Sequence, residues 1–227
     1  MSTKDIYARL RTAGLTHEGA CGLMGNMQAE SAMQSNIAQR GMTAMSDADY
    51  TAAADMGAID FASDAVGYGL CQWTYHTRKR ALLDFAHACG VSVGDEAMQV
   101  EFCLDELRTS YPGLLSLLKS TNDIYEAASE VCTVYERPAQ KNIAIRADYA
   151  QRFYYALSIE GGTKADTESD TLKETLTNET VMHLQAILVT CGYNIGTQAN
   201  STGVDGYIGK KTVAAAKDFV TRLEAMV

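Results

Sequence analysis

The stretch "GNMQAESAMQSN", Gly25 to Asn36, decides how the first part of this chain folds. Upstream, Thr16 has the side chain of a helix N-cap, and Ala20, Leu23, Met24, Met27 and Ser31 follow it at spacings of three and four. These spacings predict a helix to roughly residue 31 with one apolar face. At 100° per residue, Glu30 falls about 70° from the centre of that face, on its rim and close to the helix end. A carboxyl group there loses water on one side, which disfavours its ionised form and favours holding a proton that it can donate. A glycosidase asks the same of its general acid, which must protonate an otherwise poor leaving oxygen. The helix alone fits an ordinary rim glutamate in a salt bridge at least as well.

Outward from this helix the punctuation stays helical, and the expected fold class is all-α. Ser46 with Asp49 has the shape of a capping box for a short helix to about Asp55. The run "RKRALLDFAHAC" is closed by Gly90, and "DEAMQVEFCLDELRTS" must stop before Pro112. The segments "NDIYEAASEVCTVYE", halted by Pro138, and "KNIAIRADYAQRFYYALS" complete the set. Between residues 159 and 178, "IEGGTKADTESDTLKETLTN" is rich in Ser, Thr and Gly and almost free of large apolar side chains, which reads as a linker. The expected organisation is a domain over 1–158, this linker, and a small domain over 179–227.

A chain of 227 residues, 47% apolar, is long enough to bury a real core. Its net charge of −9 argues against nucleic acid as a partner. The acidity lies in the first domain and the linker, whereas residues 179–227 carry four charges of each sign, as suits a module that sits on an anionic surface. The N-terminal segment lacks a signal-peptide pattern and no run approaches membrane-spanning length, so the expectation is cytoplasmic synthesis without membrane insertion, as a monomer. Cysteines 21, 71, 89, 103, 132 and 191 form no C-x-x-C pair and read as reduced, mostly buried thiols. His17, His76, His87 and His183 form no ligand-like set, and "THEGA" lacks the second histidine of H-E-x-x-H, so neither a metal nor another cofactor is expected.

The second informative stretch is "GYGLCQWT", Gly67 to Thr74, where two glycines flank a tyrosine beside a Gln-Trp pair. The amide suits sugar hydroxyls and the indole face suits stacking on a pyranose, although the only Trp in a small domain is more often core. Taken together, Glu30-Ser31 at a helix end and Gly-x-Gly-Leu-x-Gln-Trp some forty residues later resemble the lysozyme-like family of phage tail lysozymes. That family is related in motif to goose-type lysozymes and soluble lytic transglycosylases. The likeness extends through "MSDADYTAAAD", "WTYHTRKRALLDFA" and "VYERPAQKNIAIRADYAQRFYYAL". Cys71 departs from the alanine frequent in the family.

The resemblance implies a lysozyme-like catalytic domain whose general acid is Glu30, with Tyr68, Gln72, Trp73 and Tyr135 contacting a peptidoglycan glycan strand. Glu136 and Arg137 read as a structural ion pair with a later helix. For a second carboxylate the loop from Ile37 to Val66 offers Asp47, Asp49, Asp55, Asp60 and Asp64. Asp64 is favoured because it precedes the glycine-rich segment, whereas Asp47 and Asp49 suit a helix start. Without a base, the sugar's own hydroxyl could attack and leave an anhydro end.

Residues 179–227 resemble the three-helix peptidoglycan-binding domain of wall hydrolases. Leu184-Gln185, Gly192-Tyr193 and Asp205 through Thr212 match its landmarks, with Tyr193, Asp205 and Tyr207 as candidate wall contacts. The implied function is a phage or prophage endolysin-type muramidase cutting the β-1,4 bond between MurNAc and GlcNAc at the bacterial cell wall. The rival readings are a lytic transglycosylase, a cysteine amidase using Cys71 with His76 or His87, and a non-catalytic tail or wall-anchoring protein.

Overall fold

The computed structural model describes residues 3–158, 184–189 and 210–224. The chain divides into two compact units, Met1–Ser158 and Ile159–Val227. The first is built from α1 (Thr3–Thr12), α2 (His17–Ser31), α3 (Asp47–Asp55), α4 (His76–Cys89), α5 (Glu96–Thr109), α6 (Pro112–Leu118), α7 (Ile124–Glu130), a π-helical turn (Val131–Glu136) and α8 (Ile143–Ser158). In the second, residues 184–189 form α9 and Lys210–Glu224 form α10. Among the described residues the fold is all-α and lysozyme-like, without strands.

Helix α2 is the axis of the first unit, and α1, α6, α7, the π turn and α8 all pack on it. Thr16 caps it by accepting from the Gly19 amide at 2.9 Å, and the chain leaves through Ala32 at φ 52°. Sequence spacing predicts a single apolar face, but every residue from Gly19 to Met27 is buried. The small residues explain the difference. A Cβ added at Gly19, Gly22 or Gly25 would stand 2.0 Å from the Leu118 carbonyl oxygen, 2.4 Å from Ala127 Cβ or 2.4 Å from the Arg146 carbonyl oxygen. Glycine at these three places lets α6, α7 and α8 approach the backbone itself, so residues that read as neutral on a hydropathy wheel form the tightest contacts. Asn26, fully buried, donates to the carbonyls of Gly22 and Ala128 and ties α2 to α7.

The caps expected at Ser46 and Gly90 are in place, and Asp95 adds one that spacing did not single out. Ser46 accepts from the Asp49 amide and donates to its carboxylate, Asp95 caps α5, and Gly90 closes α4 at φ 68°. Two helices lie outside the sequence reading. Helix α1 buries Ile6 and Leu10, and α6 starts on Pro112, where the missing amide hydrogen costs nothing. The segment read as one helix before Pro138 is α7 followed by the π turn, which ends at Arg137 with φ 48°. That wider turn lies beside the site described below.

In the second unit, Leu188 and Ala215 are buried with Leu184 and Ala216 packed against them. Gln185 donates to the Thr212 hydroxyl at 3.4 Å. Thr212 sits inside the first turn of α10, not at its cap. The linker proposed for 159–178, and Tyr193, Asp205 and Tyr207, lie outside the described residues. None of the described helices is long and apolar enough to cross a membrane.

Candidate active site

The segments that carry Glu30 and Gln72 are joined by one serine. Ser31 Oγ donates to the Met27 carbonyl at 2.9 Å and to the Leu70 carbonyl at 3.0 Å, so the end of α2 is tied to the glycine-rich segment. That segment is a tight backbone hairpin in which Tyr68 and Trp73 exchange both backbone hydrogen bonds at 3.1 and 3.0 Å. Gly69, at φ 72°, meets Gln99 so closely that an added Cβ would be 2.5 Å from its side-chain oxygen Oε1. Gln99 in return accepts from the Leu70 amide and donates to the Ser35 and Val93 carbonyls, and the hairpin is held rigid.

Beside this junction opens a cleft of about 950 Å³, lined by Glu30, Gln72, Tyr75, Arg78, Tyr111, Tyr135, Glu136 and the loop residues Gln39 and Arg40, among others. A smaller depression of about 550 Å³ beside α1 and α5, lined by Arg9, Glu101 and Arg108, holds none of the sequence-selected residues.

Glu30 is largely buried and is not alone. Arg146 donates to its Oε1 at 2.7 Å and to the Asn26 side-chain oxygen at 3.0 Å, so α8 supplies an ion-pair partner that the α2 pattern could not reveal. Gln72 lines the cleft in a left-handed conformation at φ 45°. Its amide nitrogen is committed to the carbonyls of Gly69 and Ile37 at 3.1 and 3.3 Å, and it shapes the loop from within.

Tyr68 and Trp73 do not face a ligand. Both are 0% exposed. The Tyr68 hydroxyl pairs with Thr51 at 2.7 Å, and the Trp73 indole donates to Glu106 at 2.8 Å while its ring packs edge-on against Phe102. With no free face, neither can stack on a sugar, and the sequence expectation for them is corrected. Tyr135 is equally buried and donates to Glu106 at 2.6 Å, yet it lies at the cleft as its floor, with the Arg78 guanidinium 4.5 Å above its ring. Glu106 also takes Arg78 in a two-pronged ion pair at 2.7 and 2.8 Å. This buried carboxylate therefore fastens α4, the hairpin and the π turn in one network.

Asp64 is corrected as well. It is not part of the cleft lining; it accepts from the Tyr50 hydroxyl at 2.6 Å, from the Val66 amide at 3.0 Å and from Lys79. Lys79 is fully buried, and burial lowers its pKa while the Asp64 charge opposes that shift. A carboxylate with its oxygens engaged this way is a support under the loop, not a base waiting for water.

Glu136 carries the signal that spacing missed. It lines the cleft, its Oε1 is buried and accepts no hydrogen bond, and its pKa is pushed well above 4.5, first by burial and next by the Glu30 charge. The ion pair expected from Glu136 and Arg137 to a later helix is absent among the described residues: Arg137 donates to the Tyr111 hydroxyl at 2.8 Å. Cys71 has a thiol pushed far up by burial and by the neighbouring Cys103, the opposite of what a nucleophile needs. Among the described residues the cysteines are free, and no group of three or more His, Cys, Asp or Glu could hold a metal ion.

Residues 2–157 match the phage tail lysozyme family. Morphogenesis protein 1 of Bacillus phage B103 is 27% identical over 170 residues, a stretch that covers 72% of this chain and 41% of that protein. The chain thus spans well under half the length of this relative.

Proposed function

The chain belongs to the phage tail lysozyme family, and from that premise we propose that it cleaves the β-1,4 bond between MurNAc and GlcNAc in bacterial peptidoglycan, with Glu30 as a catalytic carboxyl group. The observation that carries this reading is the junction itself. One serine holds the carboxyl-bearing end of α2 against the Gly-Leu-x-Gln hairpin, and both border a single cleft of about 950 Å³. A groove of that size accommodates several sugar units and leaves a carboxyl group at its wall. Glycosidic cleavage needs that placement, because the sugar oxygen departs only as it receives a proton. The cysteine-amidase alternative lacks a reactive thiol, since Cys71 is buried with its pKa raised.

Residues 179–227 would hold the enzyme on the wall, raising its local concentration there. Tyr193, Asp205 and Tyr207 are the contacts proposed for that role.

The test is digestion of purified peptidoglycan by the full chain and by its Glu30→Gln variant, with the released ends identified by mass spectrometry. New reducing MurNAc ends are expected from the wild type, and a loss of about 10²–10⁴-fold from Glu30→Gln. Anhydro ends would make the reaction a transglycosylation through the same carboxyl group. Free peptides, or an active Glu30→Gln protein, would refute the reading.

A further inference from the structure

Residues 1–158 are acidic, with 13 lysines and arginines against 19 aspartates and glutamates, yet the cleft they enclose has the opposite sign. Among the described residues its charged lining consists of Glu30, Glu136, Arg40, Arg78 and Arg137. Pairing decides what charge a ligand meets there. Arg146, from outside the lining, pairs with Glu30 at 2.7 Å, and Glu106, also from outside, takes Arg78 at 2.7 and 2.8 Å. Glu136 is held towards its neutral form by burial, which raises its pKa well above 4.5. Arg40 and Arg137 remain, so the cleft is positive within a domain whose overall charge is negative.

Neither of these two guanidinium groups is engaged by a strong carboxylate partner. Arg137 is exposed and donates to the Tyr111 hydroxyl, a neutral group, at 2.8 Å. The Arg40 side chain is 81% exposed and stands 3.9 Å from Asp47, whose other oxygen already accepts from the Ala38 amide at 3.0 Å. An exposed pair that loose contributes almost nothing and leaves the cation available.

Both arginines are nevertheless held by backbone that belongs to the site. Gln39 pins the Arg40 loop to the glycine-rich hairpin: its amide donates to the Gly67 carbonyl at 2.8 Å, and its side-chain oxygen accepts from the Gly67 amide at 3.1 Å. Arg137 closes the π turn at φ 48°, with its amide donating to the Cys132 carbonyl. That left-handed conformation favours glycine, so an arginine is kept there against a local cost. A guanidinium group presents a planar fork of N–H donors that fits a carboxylate. The sugar rings of a peptidoglycan strand carry no charge. Its carboxylates sit on the MurNAc side chain, as the lactyl acid itself or, where a peptide is joined to that acid, as the carboxylates of the peptide stem.

We propose that Arg40 and Arg137 form an anion subsite of this cleft that binds carboxylates borne on the MurNAc side chain, so that the enzyme selects peptidoglycan strands over neutral β-1,4 glycans. The proposal rests on the glycan-cleaving reading above and deepens it by naming the feature of the strand that is selected. The contact is to a substituent and not to the bond that breaks, so it acts on affinity for the strand.

The test measures kcat and KM of the full chain on soluble, uncrosslinked peptidoglycan strands freed of phosphodiester polymers, and on the same strands with their carboxyl groups converted to neutral amides. Wild type, Arg40→Gln, Arg137→Gln, the double variant and Glu30→Gln are compared, with folding checked by thermal unfolding. Wild-type KM should be about tenfold higher on the amidated strands, a gap that narrows as salt is raised. Each single variant should close about threefold of that gap and the double variant most of it, with the loss on native strands falling on KM and not on kcat. Strands freed of their stems by an amidase keep only the lactyl carboxylate. A wild-type KM near the native value on them assigns the contact to the lactyl acid, and one near the amidated value assigns it to the stem. Equal KM on native and amidated strands, or a gap that the double variant keeps, would overturn the subsite. So would a KM that falls only when phosphodiester polymers are present. No cleavage of any strand by wild type, or an active Glu30→Gln protein, would instead bring down the reading of the whole site.

Discussion

Asp64 and Glu136 stand in opposite surroundings, one in the loop ahead of the hairpin and one at the end of the π turn. Asp64, in the loop ahead of the hairpin, has a buried lysine, a tyrosine hydroxyl and a backbone amide to satisfy it. Glu136, at the end of the π turn, has a buried oxygen, Oε1, that accepts from no donor. Burial alone does not say whether a carboxyl group is satisfied. The number of donors aimed at it does, because a satisfied carboxylate is stabilised in place, whereas an unsatisfied one is costly unless a proton or a ligand resides there.

That contrast breaks most visibly at Asp64. Asp64→Asn strands the Lys79 charge in the core, and a destabilisation of about 3–5 kcal/mol is expected by denaturant unfolding, with activity per folded molecule retained. A stable Asp64→Asn protein that has lost glycan cleavage would restore Asp64 to the chemistry. Gly22→Ala pushes a methyl group against Ala127, where the gap is 2.4 Å, and should cost at least about 1–3 kcal/mol. A variant as stable as wild type would mean that the α2–α7 contact is looser than described.

Trp73→Phe removes the donor to Glu106 while leaving an aromatic ring in the core, and a loss of about 1–3 kcal/mol is expected with binding to glycan fragments unchanged. Weakened binding at full stability would instead make the indole a ligand platform.

The smallest effect is on pH-dependent stability and belongs to Glu136. Its folded-state pKa lies above the unfolded value of 4.5, so its favourable contribution is complete below that pH and is lost as pH rises through the folded-state value. Melting temperatures of Glu136→Gln and wild type should therefore diverge in the variant's favour as pH rises above 4.5, by some 2–4 °C for each kcal/mol involved. A constant gap would show that Glu136 titrates alike in both states.

The cleft's chemistry was partly legible in one dimension. Glu30 and Gln72 could be picked out because a helix end and a glycine-rich turn leave local marks, and both line the cleft. Trp73 was misplaced because an indole looks the same in sequence whether its neighbours are Phe102 and Glu106 or a sugar ring. Arg146, 116 positions from Glu30, could not be assigned to it by any spacing rule.

By itself the sequence determined the helical class and most helix ends, since caps, glycine stops and apolar spacing act within a few residues and need no partner. Only the tertiary structure decided which acids are satisfied and which is left bare. Desolvation and hydrogen bonding depend on what packs across the fold, and here the deciding groups come from α4, the π turn and α8, far along the chain from the carboxylates they act on.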